Sequence, residues 1–139
     1  MKKYKVAILG ATGAVGREMM KVLAERDFPA EELHLLASER SVGQVLPWKG
    51  QDIAVELACD EAFEGIDIVL GAAEHALATR FAPAIVRSGA VFVDNSCAFR
   101  MDPDVPLVIP EINPEDAGKH KGIIANPNCT TIQMVVALQ

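Results

Sequence analysis

A single cysteine, Cys129, stands in a setting that favours nucleophilic chemistry. It lies in the stretch NPNCTT (126–131), directly before the apolar run IQMVVAL, which predicts a helix. A thiol in the first turn of a helix faces backbone N–H donors and the positive end of the helix dipole, and both favour the thiolate. Asn126 and Asn128 add side-chain amides that can cap the helix or donate to a developing oxyanion. Cys129 is therefore the candidate nucleophile.

A second polar cluster, VDNSCAFR (93–100), contains a candidate anion-binding residue. Asp94, Asn95 and Ser96 directly follow a predicted strand, at the edge of the sheet where ligands bind in open α/β folds. Arg100 ends the cluster, and its fixed positive charge suits a carboxylate or a phosphate. From the residues alone, a structural ion pair is an equally good interpretation of Arg100.

Three glycines in GATGAVG (10–16) predict a phosphate-binding turn. Gly10, Gly13 and Gly16 follow the apolar run KVAIL and precede a helical pattern. A strand, a glycine turn and a helix N-terminus bring unpaired N–H groups and the positive end of the dipole to one point, where a pyrophosphate meets no Cβ atoms. This context favours a cofactor-binding loop over a tight turn that binds nothing.

The residues after the second predicted strand indicate which dinucleotide binds. NAD-binding domains place an Asp or Glu there, about 20 residues beyond the glycines, to hold the ribose 2′-OH. Here Ala37 and Ser38 take that place, followed by Arg40 and Ser41. A guanidinium with neighbouring hydroxyls suits a 2′-phosphate, so we expect NADP. Glu39 argues the other way unless its side chain turns outward, and a solvated loop stays an alternative.

The elements that must position these residues alternate between short apolar runs and helical patterns. This alternation predicts an α/β fold, a Rossmann-like and mostly parallel sheet with crossover helices. The predicted strands are KVAIL (5–9), LHLLA (33–37), IAVEL (53–57), IDIVLGA (66–72), AVFVD (90–94) and GIIA (122–125). Helices are predicted at 15–25, at 76–87 and from Cys129 onward.

Several details of these elements follow from their patterns. The alternating run 53–57 should be a half-covered edge strand, and the continuous run 122–125 a central one. Pro83 should bend its helix or lie near a boundary. The proline-rich segment 101–120 should be an excursion with one short strand, LVI, and one helical turn after Pro114. The first helix presents four apolar residues on one face: Val15, Met19, Val22 and Leu23.

The composition is that of a globular protein and excludes several classes. Of the 139 residues, 50% are apolar and 23% are charged, which suits one domain with a core. A net charge of −6 without a basic stripe argues against a nucleic acid as partner. No apolar run reaches the length of a membrane span and no signal peptide is recognisable, so we expect a soluble, cytoplasmic protein. Three cysteines without a CxxC pair suggest neither disulfides nor a metal site, and we interpret Cys59 and Cys97 as buried structural residues.

The pattern at the C-terminal end predicts a longer polypeptide. TIQMVVALQ stops without a Gly or Asn cap and without a basic last turn, so we expect this chain to be the first part of a larger protein. A covalent mechanism also needs a base, and none of His34, His75 and His120 lies in a motif. We therefore expect the base in the part that this chain lacks.

Taken in order, these stretches resemble the aspartate-semialdehyde dehydrogenases. GATGAVG, ASERSVG, VDNSCAFRMDPDVPLVIPEIN and GIIANPNCTTIQMVVAL are similar to signatures of that family, and the last two are long and specific. The resemblance spans nearly the whole chain. It implies that residues 1–139 are the NADP-binding domain of a two-domain, homodimeric enzyme, whose C-terminal catalytic and dimerisation domain is not in this chain.

The resemblance also implies a reaction and residue roles. The family reversibly converts L-4-aspartyl phosphate and NADPH into L-aspartate 4-semialdehyde, phosphate and NADP, in the route to lysine, threonine and methionine. Cys129 would form the acyl-thioester, and Arg100 with Asn128 would hold the phosphate. Six further residues would contact the cofactor: Thr12, Gly13, Ala14 and Val15 at the pyrophosphate, and Arg40 and Ser41 at the 2′-phosphate. Residues 1–139 alone should bind NADP without turning over substrate.

One stretch departs from the family. Residues 71–75 read Gly-Ala-Ala-Glu-His, where the family commonly has a Ser-Ala-Gly-Gly type of turn beside the cofactor. This departure indicates altered binding on the nicotinamide side or a divergent subgroup. Two other functions stay open. One is N-acetyl-γ-glutamyl-phosphate reductase, which shares the acyl-phosphate chemistry and the fold, although MDPDVPLVIPEINP favours the aspartyl enzyme. The other is a non-catalytic NADP-binding sensor, for which Cys129 would be buried and inert.

Overall fold

Continuous Val, Ile and Leu runs form the centre of a seven-stranded sheet in the computed structural model, which describes residues 1–139. The strands are β1 (Tyr4–Leu9), β2 (Ala30–Ala37), β3 (Val45–Trp48), β4 (Gln51–Leu57), β5 (Ile68–Gly71), β6 (Val91–Asp94) and β7 (Ile123–Ala125). The α-helices are α1 (Ala14–Glu25), α2 (His75–Arg87) and α3 (Cys129–Leu138), with short 3₁₀ turns at 39–41, 60–63 and 114–119. No helix has both the length and the apolar character needed to cross a membrane.

The strand order is that of a doubly wound fold. It runs β3-β4-β2-β1-β5-β6-β7, and every neighbouring pair is parallel except β3 with β4. The chain winds from β1 to β2 in one direction and from β5 to β7 in the other, so the order reverses between β1 and β5. Ligands of open α/β sheets bind at such a reversal, outside the carboxyl ends of the strands. The predicted Rossmann-like fold is confirmed.

Both predictions about the sheet edges are wrong. The run 53–57 belongs to β4, which is paired on both sides, because a strand that the sequence analysis missed, β3, forms a hairpin with it. Pro47 lies in β3, where an edge strand tolerates the missing N–H, and the hairpin turn is Lys49-Gly50 with positive φ at both residues. At the other end β7 is the edge strand, flanked only by an isolated bridge from Leu107 to Ala125.

Helix α1 packs only half of its predicted apolar face against the core. Met19 and Leu23 are partly buried and contact the core, as predicted. Gly16 and Met20 are its buried residues, while Val15 and Val22 are 44% and 38% exposed. The reason is the close approach of the helix to the turn before it. A Cβ on Gly16 would lie 2.7 Å from Ala11 Cα and still closer to the carbonyl oxygen of Gly10. A hydrophobic pattern gives glycine no weight, so it could not reveal that this side faces the sheet.

Helix α2 covers the opposite side of the sheet. It packs Phe81 edge-on against Phe63 of the 60–63 turn, with ring centroids 5.6 Å apart. Pro83 lies inside this helix rather than at its boundary, and its side chain is exposed. Proline lacks the N–H that would bond to the carbonyl of Thr79, and because both residues are exposed, water can hydrate that carbonyl.

The proline-rich excursion is held together by one side chain, Asn113. Its Oδ1 accepts from Ile109 N–H at 2.8 Å, and its Nδ2 donates to the Leu107 carbonyl at 3.0 Å and to Asp116 at 2.9 Å. The predicted strand LVI is reduced to the isolated bridge at Leu107, whereas the helical turn after Pro114 is confirmed as the 3₁₀ turn at 114–119. The excursion returns the chain to β7 and so to the turn that carries Cys129.

Candidate active site

The glycine turn joins β1 to α1 at the point where the strand order reverses. Gly10 has φ +85°, and a Cβ there would lie 2.9 Å from the backbone of Ala72, in the loop after β5. Gly10 thus allows the ends of β1 and β5 to meet. Helix α1 begins at Ala14 without a side-chain cap, so its first N–H groups remain available to an anion.

Gly13 and Gly16 have different tasks in this turn, which gives a first prediction. Ala at position 16 would collide with backbone, whereas Ala at position 13 would meet only the Gly10 carbonyl oxygen at 3.6 Å, an ordinary contact. We expect Gly16→Ala to lower the free energy of unfolding by about 1–3 kcal/mol and Gly13→Ala by less than about 0.5 kcal/mol. Urea unfolding of both variants would measure this, and equal losses would contradict the assignment.

A crevice of about 550 Å³ opens beside the glycine turn. It is lined by Gly10, Thr12, Gly13, Ser38, Glu39, Arg40, Leu57, Ala58, Glu74, Leu77 and Arg80 among others. Ser41 is not in this lining, but its hydroxyl lies 3.3 Å from that of Thr12 and so links the glycine turn to the turn after β2. Six of the eight predicted cofactor-binding residues therefore lie around one crevice: Gly10, Thr12, Gly13, Ser38, Arg40 and Ser41.

The other two predicted cofactor residues lie at the start of α1 and do not line the crevice with their side chains. Ala14 is the first residue of the helix and Val15 the second, and both are exposed. The side chain of Val15 points to the other flank of α1, towards Leu70 and Asn95. What Ala14 and Val15 present to the turn is their backbone N–H groups.

Cys129 is the first residue of α3 and is exposed, so the prediction that it is not a buried core residue is confirmed. Asn128 is the N-cap, and its Oδ1 accepts from the backbone N–H groups of Thr130 and Thr131 at 3.0 and 3.3 Å. This cap fixes the turn in front of the thiol and leaves the Asn128 Nδ2 group free to donate. The thiol is thus presented at a helix N-terminus on a braced turn.

Arg100 is tied to the same turn by backbone carbonyls rather than by an ion pair. Its Nε donates to the Asn126 carbonyl at 2.9 Å and its Nη2 to the Asn95 carbonyl at 3.0 Å. The two asparagines are themselves joined, with Asn126 Nδ2 2.6 Å from Asn95 Oδ1. No carboxylate pairs with the half-buried guanidinium, so its charge is available to a bound anion. The residue to which Arg100 is bonded, Asn126, lies three positions before Cys129.

The hydrogen bond between Asn95 and Asn126 is the part of the site that the sequence pattern did not predict. Both asparagines were noted as polar residues at strand ends, but their contact depends on β6 and β7 being neighbours. Asp94, fully buried at the end of β6, braces the same region by accepting from the Ser96 N–H and hydroxyl at 3.1 and 2.6 Å. The signal was an Asn immediately after each of two strands, which pairing of those strands brings together.

Cys97 is exposed and contacts His75, so the interpretation of it as a buried structural residue is wrong. Its Sγ lies 3.7 Å from His75 Nδ1, at the start of α2. The stretch 93–100 leaves the sheet as a turn, and this turn carries Cys97 outward while Phe99 packs against the core. Cys59 is partly buried. None of the three histidines hydrogen-bonds to Cys129: His34 contacts Glu32 and Glu56, and His120 accepts from the N–H of Gly122.

The carboxyl edge of the sheet thus carries two parts of one site. A crevice of about 550 Å³ lies at β1, β2 and β5. Beyond β6 and β7 lie an exposed thiol and, bonded to the turn before it, a guanidinium without a carboxylate partner. The glycine turn has the features that a pyrophosphate requires, namely close backbone approach and free N–H donors, so the residues present fit a nicotinamide dinucleotide. Together the two parts can support attack of a thiolate on an activated acyl group followed by hydride transfer.

Comparison with known proteins agrees with this description. Residues 5–120 match the family model described as semialdehyde dehydrogenase, NAD binding domain. A curated relative, aspartate-semialdehyde dehydrogenase of Aquifex aeolicus, is 58% identical over 139 residues, 98% of this chain and 41% of the relative. The chain spans about two fifths of the length of the curated relatives that it matches.

Two solved structures add detail. Aspartate semialdehyde dehydrogenase II of Vibrio cholerae, complexed with ASA, superimposes with a TM-score of 0.95 at 47% identity, over 99% of this chain and 45% of that one. Aspartate semialdehyde dehydrogenase of Candida albicans, solved with NADP, has a TM-score of 0.77 at 28% identity, over 99% of this chain and 46% of that one.

Proposed function

The chain belongs to the semialdehyde dehydrogenase family, and on that premise we propose that residues 1–139 are the NADP-binding domain of a cytoplasmic aspartate-semialdehyde dehydrogenase. The full-length enzyme would interconvert L-4-aspartyl phosphate and L-aspartate 4-semialdehyde, with release or uptake of phosphate. The observation that carries this proposal is the exposed thiol of Cys129 on a capped helix start, with the unpaired Arg100 tied to the same turn.

The residues divide the work of acyl transfer between them. The Cys129 thiolate attacks the acyl carbon of the aspartyl phosphate, a C–S bond forms, and the C–O bond to phosphate breaks to give an acyl-thioester. Arg100 holds the leaving phosphate by charge, and the free Nδ2 of Asn128 donates to it. When bound, a nicotinamide dinucleotide would supply hydride to the thioester carbonyl, after which the C–S bond would break to release the aldehyde and return the Cys129 thiolate. The glycine turn fixes the position of that cofactor relative to the thiol.

Three parts of the proposal concern the rest of the enzyme. A general base is needed, and since no histidine in residues 1–139 hydrogen-bonds to Cys129, we assign the base to a C-terminal catalytic domain. The relatives' greater length supports such a domain. Helix α3 supports it too, because an apolar helix with no buried residue is expected to pack against another part of the protein. We propose that this domain also forms a homodimer.

The activity is tested in the reverse direction with the full-length protein. L-aspartate 4-semialdehyde, phosphate and NADP should give NADPH, followed by absorbance at 340 nm, and omission of phosphate should abolish the signal. Phosphate-dependent turnover of N-acetyl-L-glutamate 5-semialdehyde instead would reassign the chain to the related reductase. Dinucleotide binding without turnover of either aldehyde would favour a sensor.

NADP preference gives a second prediction, centred on Arg40. This guanidinium lines the crevice without a carboxylate partner, beside the linked hydroxyls of Thr12 and Ser41. We expect Arg40→Ala to weaken NADP binding about tenfold and to leave NAD binding within about twofold, because only the 2′-phosphate needs the charge. Titration calorimetry with both dinucleotides measures this. Wild-type protein that binds NAD as tightly as NADP would refute the preference.

A further inference from the structure

We infer that Arg17 is a second cation for the cofactor 2′-phosphate and a determinant of the preference for NADP over NAD. The inference rests on the proposed dinucleotide function and deepens it. Arg17 lies in the first turn of α1, outside the GATGAVG motif and outside the turn after β2. Neither the glycine motif nor the ASERSVG stretch therefore indicated it.

The side chain of Arg17 is anchored at the edge of the expected 2′-phosphate position. Its Nε donates to the Thr12 carbonyl at 3.1 Å, and the hydroxyl of Thr12 lies 3.3 Å from that of Ser41. One chain of contacts therefore runs from Arg17 through Thr12 to the turn that carries Arg40. A helical side chain leans towards the N-terminus of its helix, which brings Arg17 to Thr12. Arg17 itself lines the neighbouring hollow between α1 and β3, and Thr12 lies between it and the crevice.

The terminal amino groups of Arg17 remain free for an anion. The side chain is exposed, and its terminal amino groups make no hydrogen bond within the chain and pair with no carboxylate. Lys21, one turn further along the same helix, is instead neutralised by Glu18 and Glu25, each at 3.7 Å. Arg26 lies at the far end of the helix, more than two turns away. Arg17 is thus the available cation at this end of α1.

The charge balance of the crevice shows why a second cation is needed. Its charged lining consists of Arg40 and Arg80 on one side and Glu39 and Glu74 on the other, so the lining carries no net charge. A 2′-phosphate brings close to two negative charges, and two carboxylates in the lining oppose it. Arg17 is not part of this lining, but its contact with Thr12 holds its charge at the border of the crevice. That charge would favour only a dinucleotide that carries the 2′-phosphate.

The test compares four forms of the full-length protein by calorimetry: wild type, Arg17→Gln, Arg17→Lys and Arg26→Gln. Each is titrated with NADP, NAD, 2′,5′-ADP and 5′-AMP. We expect Arg17→Gln to weaken NADP and 2′,5′-ADP about fivefold and to leave NAD and 5′-AMP within about twofold. Arg17→Lys should keep part of the difference, and Arg26→Gln should match wild type.

The outcomes separate this inference from the function on which it rests. Equal weakening of NAD and NADP binding by Arg17→Gln would mean that Arg17 only supports the Thr12 carbonyl. Unchanged binding of both dinucleotides would mean that Arg17 is not part of the site. Either result overturns the inference and leaves the proposed enzyme function in place. Wild-type protein that binds neither dinucleotide would overturn both. A wild-type preference for NADP that falls in Arg17→Gln, with unchanged thermal stability, supports the inference.

Discussion

Replacing Cys129 by serine in the full-length enzyme is expected to lower kcat by about four orders of magnitude or more, while NADP binding stays within about twofold. In the proposed mechanism the thiolate forms the covalent bond that divides the reaction into two steps, whereas a serine hydroxyl at the same position is not ionised, so the loss is large. Binding is preserved because Cys129 begins α3, beyond β7, whereas the crevice lies at β1, β2 and β5.

The other two cysteines provide matched controls for this experiment. Cys59→Ser and Cys97→Ser change the same atom and should keep kcat within about twofold, since Cys59 lies beside the 60–63 turn and Cys97 contacts His75 rather than Arg100. The phosphate-dependent assay measures all three variants. Residual activity above about one per cent in the Cys129 variant would contradict its role as nucleophile.

The exposure of Cys97 changes how thiol labelling must be interpreted. Two cysteines, Cys97 and Cys129, are exposed, so rapid alkylation of the chain does not by itself identify the nucleophile. Phosphate should slow labelling of Cys129, because the anion that we propose for Arg100 would lie at the same turn. The site of modification therefore has to be read by peptide mass spectrometry.

The sequence predicted those parts of the fold that local chemistry determines. Val6, Ile8 and Leu9 form a strand that can only be buried, Gly10 permits a positive φ, and Asn128 caps the helix that it precedes. Each of these residues acts within a few positions of itself. The same holds for the exposed position of Cys129, which follows from its polar flanks.

The predictions that failed depend on contacts between distant segments. The prediction for α1 was wrong at Val15 and Val22 because Gly16 packs against Gly10 and Ala11, a contact without a hydrophobic signature. The predicted edge position of β4 was wrong because β3, a short strand that contains Pro47, pairs with its outer side. The hydrogen bond between Asn95 and Asn126 forms only because β6 and β7 are neighbours in the sheet, and the strand order sets that pairing.

Contacts between distant segments also bring Arg100 to the turn that carries Cys129. Along the chain Arg100 and Cys129 are separated by the whole proline-rich excursion, which Asn113 holds in a fixed form. The return of the chain to β7 places the Asn126 carbonyl against Arg100. The site therefore depends on the excursion as a spacer, although no residue of the excursion belongs to the site.

Replacing Arg100 by alanine should raise the KM for phosphate about a hundredfold, the scale expected when a partly buried, hydrogen-bonded charge loses its partner. NADP affinity should stay within about twofold, because Arg100 contacts only the turns after β6 and β7. Arg100→Lys keeps the charge but lacks the planar fork whose two separate nitrogens reach the two carbonyls, so we expect an intermediate KM.

Arg87→Ala is the matched control for Arg100→Ala, because Arg87 is an exposed arginine on α2 whose only charged partner is Asp60 at 3.7 Å. Its KM for phosphate should not change. A loss of kcat in Arg100→Ala at saturating phosphate, without a change in KM, would instead mean that Arg100 supports the turn of Cys129 and does not bind the anion. The distinction is measurable because an anchor that acts by charge also predicts weaker phosphate binding as ionic strength rises, whereas a brace between two neutral carbonyls does not.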